Sequence, residues 1–305
     1  MKLRLVTVAF LSLLLNACYI KQEVARLAEA ENLFFTDDGR LFVSSGEGFY
    51  ELLKNAVNEE YQLKVISDFE CAFAGITQLA DTLYTVCSEI KLVNAKKHLL
   101  ALDLNARDSK LLKIADISEL DLPNGLTGDG ESTLYLANTA YLGSGSISRI
   151  TVNQKEVNSI EHNWANGNHN VFHPNGIKFV ENSLWFSDGG SIKNMLIAED
   201  ENATYANQFF NRLTIYDDIT PYCNGVLAAD FVGGQLVYIS REGEVKYKTG
   251  FASYQGASSL LVGKPPLFSS YQVVATERGI LFDKQSQIGN RISTATFNFD
   301  LAQCQ

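Results

Sequence analysis

The feature that most constrains the fold is a short segment that recurs six times, a turn followed by leucine and an aromatic residue. The copies are Asp38-Gly39-Arg40-Leu41-Phe42, Asp81-Thr82-Leu83-Tyr84, Ser132-Thr133-Leu134-Tyr135, Asn182-Ser183-Leu184-Trp185, Gly234-Gln235-Leu236-Val237-Tyr238 and Gly279-Ile280-Leu281-Phe282. Successive leucines of this set are 42, 51, 50, 52 and 45 residues apart. A repeat of about 40 to 50 residues is typical of propeller blades, each built from four strands.

The sequence around each leucine supports strands joined by tight turns. An apolar strand precedes the leucine, and a Gly-containing turn with a further strand follows, as in Gly243-Glu244-Val245-Lys246-Tyr247. This alternation of apolar and polar residues, punctuated by Gly, Asn and Asp, is typical of β-hairpins. A β-sandwich or two small β-domains are the rival architectures, but neither requires six copies of one unit. The sequence therefore predicts an all-β, six-bladed β-propeller that forms a single domain over residues 31–305.

Composition limits the class of partner. The 305 residues are 46% hydrophobic and 20% charged, which describes a globular chain and excludes disorder. The formal charge is −10, and such an acidic surface repels nucleic-acid phosphates, so nucleic acid is not expected as a partner. An acidic surface suits cations.

The first residues have the pattern of an export signal. Lys2 and Arg4 precede the apolar run Leu5 to Leu15, which is too short to span a bilayer, since a spanning helix needs about 20 residues. Leu15-Asn16-Ala17-Cys18 then resembles a bacterial lipobox. We therefore predict a signal peptide over residues 1–17, lipidation of Cys18, and a polar tether with helical character over residues 18–30. An ordinary signal peptide with a chance cysteine, or a buried first helix, stays open.

Localisation follows from the same segment. Tyr19 rather than Asp follows the cysteine, which favours an outer-membrane anchor over inner-membrane retention. Loss of Lys2 and Arg4 with the signal takes the formal charge from −10 to −12. The expectation is a monomer in the bacterial cell envelope, facing the periplasm or the exterior, that contacts the membrane only through the lipid on Cys18.

Four further cysteines, Cys71, Cys87, Cys223 and Cys304, are an even number in an exported chain and indicate disulfides. Three connectivities are possible. Cys71 and Cys87 lie within one hairpin-sized segment, so a local bridge is the favoured pairing, which leaves Cys223 to bond with Cys304. No Cys-x-x-Cys or Cys/His spacing suggests zinc.

Oxygen-bearing side chains recur where the innermost strands of the predicted blades begin. Glu31 and Asn124 stand ten residues before Leu41 and Leu134, and Asn175 stands nine before Leu184. Residues at this point of a propeller can converge on the central axis. Carboxylate and amide oxygens suit a hard cation, so Glu31, Asn124 and Asn175 predict a Ca²⁺ site.

The repeated Pro-Asn-Gly-apolar motif at Asn124 and Asn175, the acidic Glu31 and the six blades together resemble the calcium-dependent lactonase superfamily. That superfamily includes gluconolactonase of the senescence marker protein type, paraoxonase and the strictosidine synthase-like propellers. The resemblance implies that a Glu, one or two Asn and an Asp from separate blades bind Ca²⁺ at the axis. It also implies that the ion polarises a lactone or ester carbonyl while the Asp or a nearby His handles the proton.

The fourth ligand of that pattern is not found at the expected place. Ten residues before Leu236 stands Val226, whereas Asn224 and Asp230 lie to either side of it. Asn224 is therefore the predicted fourth ligand, and Asp230 is the predicted general base. His173, two residues before Asn175, is a second candidate for the proton.

The sequence thus supports two functions. The first is a calcium-dependent hydrolase of a small-molecule lactone or ester, carried on an envelope lipoprotein. The alternative is a non-enzymatic propeller lipoprotein that binds an envelope protein or another ligand. Sequence alone leaves open whether the chain is an enzyme, because a propeller hosts many chemistries.

Overall fold

The structure, a computed structural model, describes residues 19–67, 69–91, 94–106, 109–140, 143–281 and 283–297. These residues form 24 strands in six antiparallel four-stranded sheets. The innermost strand of each sheet contacts the innermost strands of both neighbouring sheets, which closes the sheets into a ring. The predicted all-β, six-bladed β-propeller is therefore confirmed, and it is a single domain.

The blades follow one another along the chain, apart from the first strand. The first blade is β2 (Ala30–Phe35), β3 (Leu41–Ser45), β4 (Phe49–Lys54) and β5 (Tyr61–Ser67), and the second is β6 (Cys71–Leu79), β7 (Thr82–Glu89), β8 (Lys97–Asp103) and β9 (Leu112–Asp116). The third is β10 (Pro123–Gly128), β11 (Thr133–Asn138), β12 (Ser146–Asn153) and β13 (Glu156–Ala165), and the fourth is β14 (Pro174–Val180), β15 (Ser183–Asp188), β16 (Ser191–Leu196) and β17 (Asn207–Asn211). The fifth is β18 (Tyr216–Tyr222), β19 (Gly225–Asp230), β20 (Gln235–Ile239) and β21 (Val245–Lys248), and the sixth is β22 (Ala257–Val262), β23 (Gln272–Glu277), β24 (Arg291–Phe297) and β1 (Tyr19–Arg26).

Residues 19–30 of the segment predicted as a tether (18–30) are part of the propeller instead. Tyr19–Arg26 forms β1, which pairs with β24 and supplies the outermost strand of the sixth blade. Lys21 Nζ lies 2.7 Å from the buried carboxylate of Glu277 and stacks over the Tyr254 ring at 4.2 Å. Helical spacing of the charged residues was misleading, because the outer face of an edge strand is also polar. The first strand thus closes the ring with the last blade.

The blades are held together by apolar side chains between the sheets. Between the second and third blades, for example, Tyr84 and Leu99 pack in one cluster with Leu126, Leu136 and Ile150. All five residues of β3 are buried, because a strand in the middle of a blade is covered on both faces. Outermost strands such as β9 contain only exposed and half-buried residues.

The leucine markers locate four blades correctly and two incorrectly. Leu41, Leu83, Leu134 and Leu184 each lie in the second strand of a blade. Leu236 lies in β20, the third strand of the fifth blade, and Leu281 lies in the loop between β23 and β24. Second and third strands are both buried between neighbouring blades, so both are rich in apolar residues and the sequence pattern does not distinguish them.

Every inner strand from the first to the fifth blade carries a β-bulge near its start. In β2, Ala30 pairs with Ser45 and Leu33 pairs with Val43, so Glu31 and Asn32 oppose the single residue Ser44. The same two-against-one register occurs in β6, β10, β14 and β18. A bulge bends a strand and turns the extra side chain away from the ladder. The first residues of the five bulges are therefore equivalent, and they lie at the end of the ring where the inner strands begin. We call this end the entrance face.

The predicted bridge between Cys71 and Cys87 is confirmed, and it ties β6 to β7 with the Cα atoms 5.5 Å apart. Cys223 is also disulfide-bonded. Its predicted partner Cys304 lies outside the described residues, as do the signal peptide and Cys18. Over the part of the chain that is described, no helix is long and apolar enough to cross a membrane.

Candidate functional site

Four of the bulges present oxygen-bearing side chains to the axis. The first residue of each bulge is Glu31 in β2, Asn124 in β10, Asn175 in β14 and Asp217 in β18. The equivalent position in β6 is Ala74. Glu31, Asn124 and Asp217 are buried, with 7%, 9% and 8% of their surfaces exposed. The fold thus brings two carboxylates and two amides from four separate blades to one level of the ring.

The glycine after each of the two asparagines is explained by close packing of neighbouring blades. A Cβ atom on Gly125 would lie 2.2 Å from the backbone oxygen of Asn175, and one on Gly176 would lie 2.5 Å from the Cα atom of Asp218. Glycine is therefore the residue that lets adjacent inner strands approach so closely. The Pro-Asn-Gly motif does not form a turn, because Asn124 and Asn175 lie inside strands. It holds the bulges of consecutive blades in contact.

Asp217 is linked to Asn175 and to Glu31. The Nδ2 group of Asn175 donates a hydrogen bond to Asp217 Oδ1. Burial raises the pKa of Asp217 well above its usual range, and the negative charge of Glu31 raises it further. Burial likewise raises the pKa of Glu31, against the opposing effect of the nearby Arg278 guanidinium. Glu31 and Asp217 are therefore two buried acids close enough to repel each other.

Arg278 supplies positive charge at this point. Its guanidinium donates from one Nη atom to Glu31 Oε2 at 2.7 Å, and it lies in the loop that follows β23. Asp218, by contrast, has partners of its own. It accepts from Lys178 Nζ at 2.8 Å and from Ser259 Oγ at 2.6 Å. When both carboxylates are ionised, the single arginine leaves negative charge in excess at the axis, and a bound cation would stabilise that ionised form.

A cleft of about 770 Å³ opens at this level on the entrance face, and Glu31, Asn124 and Arg278 line it. Asn175 and Asp217 do not line the cleft, but the charge of Glu31, which does line it, acts on Asp217. Glu89, on the cleft wall, is held ionised because hydrogen bonds from Lys91 and then His98 lower its pKa to about 2. A carboxylate of such low basicity is unsuited to accept protons near neutral pH.

Two residues predicted from the sequence are not part of this set. Asn224 is exposed and has a positive φ of 59° in the two-residue turn between β18 and β19, as hairpin chemistry requires. It lies beyond the opposite end of β18 from Asp217, roughly 20 Å away at about 3.3 Å per residue. Asp230 ends β19 and accepts from Gly233 N at 2.7 Å and from the Thr214 hydroxyl, so its carboxylate closes a turn.

His173 lies where the sequence indicated, directly before β14 and two residues from Asn175. Its side chain is exposed, and its backbone N–H donates to Asp188. The backbone contact fixes the chain at the entrance face without using the imidazole. His173 therefore remains a candidate proton carrier at the margin of the site.

Sequence reasoning missed Asp217 because it took the wrong strand of the fifth blade. The counterpart of Leu41 in that blade is Val226 in β19, a valine in place of the marker leucine, and Asp217 stands nine residues before it, as Asn175 does before Leu184. The signal was therefore present in the sequence. Arg278 had no such signal, since a loop brings it to the axis from the sixth blade.

The donor set fits a hard divalent cation. Among the residues that the structure covers, no three His, Cys, Asp or Glu side chains lie together as a metal-binding group. The axial set is of another type, two carboxylates and two amide side chains. Ca²⁺ binds carboxylate and amide oxygens, and the buried surplus of negative charge favours a cation over water.

No protein-family model and no curated protein matches this sequence. Solved structures match in fold. A luciferin-regenerating enzyme is 12% identical, with 92% of this chain and 96% of that chain covered and a TM-score of 0.67. The calcium-binding protein regucalcin from Agrobacterium tumefaciens is 13% identical, with 91% and 93% covered and a TM-score of 0.65. A gluconolactonase from Xanthomonas campestris is 12% identical, with 93% and 92% covered and a TM-score of 0.62.

At these identities the likeness establishes the fold alone. The sequence resemblance implied that the fold would be similar to that of gluconolactonases and their relatives. The matches to regucalcin and a gluconolactonase confirm this prediction.

Proposed function

We propose that this protein is a calcium-dependent hydrolase that acts on a lactone or an ester. The observation that carries the proposal is the convergence of Glu31, Asn124, Asn175 and Asp217 from four blades beside an open cleft. The fold of regucalcin, described as a calcium-binding protein, and of a gluconolactonase supports it. We further propose that the small-molecule substrate enters at the entrance face and that the protein is a monomer.

Each axial residue has a separate role in this proposal. A bound Ca²⁺ supplies Lewis acidity toward the substrate carbonyl oxygen. Glu31 and Asp217 provide the charge that holds the cation, and Asn124 and Asn175 provide neutral oxygen donors. Asp217 replaces Asp230 as the proposed general base, since the Asp230 carboxylate is already used in its turn by Gly233 and Thr214. Asn175 orients the Asp217 carboxylate by donating to it.

The test is hydrolysis of a panel of lactones and aryl esters by the purified protein, with calcium and with excess chelator. We expect chelation to lower the rate about 100-fold, because Lewis-acid stabilisation is worth several kcal/mol of barrier and each 1.36 kcal/mol is tenfold. Asn124→Ala should lower the rate similarly. Asn224→Ala removes the same side chain from an exposed turn and is the matched control. A rate indifferent to chelation would contradict the proposal.

The alternative function, binding of an envelope protein by a non-enzymatic propeller, has one observation in its favour. Loops of the entrance face expose large apolar side chains, among them Leu213, Val232 and Phe251 at 103%, 61% and 79% exposure. Large apolar side chains grouped on one face are typical of interaction surfaces. Absence of hydrolysis across the whole panel, with calcium binding retained, would favour this alternative.

The proposed location is the cell envelope, through a lipid on Cys18. Tyr19 starts β1 at the face opposite the entrance face, because Arg26 at the other end of β1 pairs with Arg291, which begins β24 at the entrance face. A lipid on Cys18 would therefore leave the cleft facing away from the bilayer. We expect the full chain to fractionate with membranes and Cys18→Ser to fractionate with soluble protein. Equal membrane retention of the two chains would contradict lipidation.

A further inference from the structure

The Arg278 guanidinium occupies a defined position at the axis. It is 29% exposed, whereas the Glu31 side chain that it contacts is 9% exposed, so the pair lies at the inner wall of the cleft. The backbone on which it stands is fixed. Arg278 N donates to Gly256 O at 2.8 Å, and Gly279 N donates to Gln255 O at 2.9 Å. These backbone hydrogen bonds hold the loop in a position from which the guanidinium reaches Glu31.

The sixth blade differs from its neighbours in what it gives to the axis. Its inner strand has Ser258 at the irregular position, and the Ser258 hydroxyl donates to the backbone oxygens of Ala30 and Glu31 at 2.8 and 3.1 Å. That hydroxyl is thus used to join β22 to β2. The sixth blade contributes a cation, Arg278, at the level where four other blades contribute oxygen donors.

A divalent cation and the guanidinium compete for the same carboxylate. Ca²⁺ coordinates carboxylate oxygens at about 2.3–2.6 Å, and the guanidinium already lies 2.7 Å from Glu31 Oε2. Both cations on one carboxylate would stand within roughly 5 Å of each other. Their repulsion is strong where water is partly excluded, since the Coulomb energy rises as the effective dielectric constant falls.

We propose that Arg278 is an internal competitor for the divalent cation: it neutralises Glu31 in the metal-free protein and must withdraw from Glu31 for the cation to bind. This inference rests on the cation site proposed above. Arg278 thereby sets the affinity of the site. Without it, the metal-free protein has two uncompensated buried carboxylates, and the cation meets no resident positive charge.

The test is calorimetric titration of Ca²⁺ into chelator-treated full-length protein, which needs no enzyme assay. We expect Arg278→Gln to bind Ca²⁺ at least about tenfold more tightly than the wild type, because one positive charge is removed from a partly buried cation site. Lys284→Gln is the matched control. It removes the same charge from the same loop, but Lys284 is 44% exposed and contacts Glu29 and Glu47 rather than Glu31. Its effect should stay within about threefold, since exposed charges are screened.

A second variant guards against misfolding of Arg278→Gln. Arg278→Lys keeps the charge and should bind Ca²⁺ within about threefold of the wild type, because it is the charge that resists the cation. The melting temperature of Arg278→Gln in chelator should fall below that of the wild type and should rise further on addition of calcium.

The outcomes separate this inference from the proposed function. Tighter binding by Arg278→Gln supports competition, including the case in which only the variant binds detectably. Equal or weaker binding by Arg278→Gln, with binding by the wild type intact, overturns the inference and leaves the cation site standing. No binding by any variant removes the cation site, and with it both the inference and the proposed function.

Discussion

A chain that begins at Leu27 is expected not to fold, whereas a chain that begins at Tyr19 folds fully. The shorter chain lacks β1, so the sixth blade has three strands and β24 presents an unpaired edge. It also removes Lys21 from the Glu277 carboxylate, which is 1% exposed and keeps the more distant Arg291 Nε, 4.0 Å away, as a cationic neighbour. Removal of one partner of a buried ion pair alone costs about 3–5 kcal/mol, against a total stability of about 5–15 kcal/mol.

The measurement is thermal unfolding of both chains followed by circular dichroism. We expect a cooperative transition for residues 19–305, and insoluble protein or no cooperative transition for residues 27–305. If residues 19–30 were a tether, the two chains would melt at the same temperature. That result would contradict a role of β1 in completing the sixth blade.

A point substitution tests the same contact without a truncation. Lys21→Met should lower the free energy of unfolding by about 3 kcal/mol, because Glu277 stays buried. Lys54→Met is its matched control, since Lys54 also lies over a tyrosine ring but pairs with Glu59, which is 79% exposed. An exposed pair of that kind is worth about 0–1 kcal/mol.

Strand β1 also shows which part of the fold could not be predicted from the sequence. The repeat predicts four blades directly, because an inner strand, a short turn and a leucine strand are adjacent in the chain. The partners of β1 lie some 270 residues away, as in the pairing of Lys21 with Ala295, and no local pattern records them. The strands of the sixth blade were not located from the sequence for a related reason. Nine residues separate β22 from β23, so the hairpin that marks the other blades is stretched into a loop.

The axial residues also differ in whether the sequence alone could identify them. Glu31, Asn124 and Asn175 could be named from the sequence because each stands nine or ten residues before a marker leucine. Asp217 stands nine residues before Val226, the equivalent position of β19, but the marker there is a valine, and Leu236 in the apolar strand β20 was taken in its place. The contact between Arg278 and Glu31 joins residues 247 positions apart through a loop, so only the folded chain reveals it.

Asp217→Asn is expected to produce the largest functional loss of any single substitution at the axis. The change removes a negative charge from the cation site, and we expect calcium affinity to fall by about 100-fold, at the upper end of losses seen when partners of metal ligands are removed. It also removes the proposed general base, a role that contributes about 10²–10⁴-fold to a rate. Hydrolysis at saturating calcium should therefore fall about 1,000-fold.

Stability gives a second and independent signature of the same residue. Burial and the charge of Glu31 disfavour the ionised form of Asp217 in the metal-free protein, as its raised pKa indicates. Removal of that charge relieves the repulsion, so Asp217→Asn should melt above the wild type in chelator. In saturating calcium the order should reverse, because the wild type gains more binding free energy than the variant.

Asp230→Asn is the matched control, an identical change at the carboxylate that the sequence pattern favoured. Its carboxylate accepts from Gly233 and Thr214 in a turn, so the substitution should lower the melting temperature equally with and without calcium. Calcium affinity should stay within about twofold of the wild type, since the change touches no axial group. A chelator-dependent reversal in Asp230→Asn rather than in Asp217→Asn would mean that the cation lies at the end of β19 and not at the bulges.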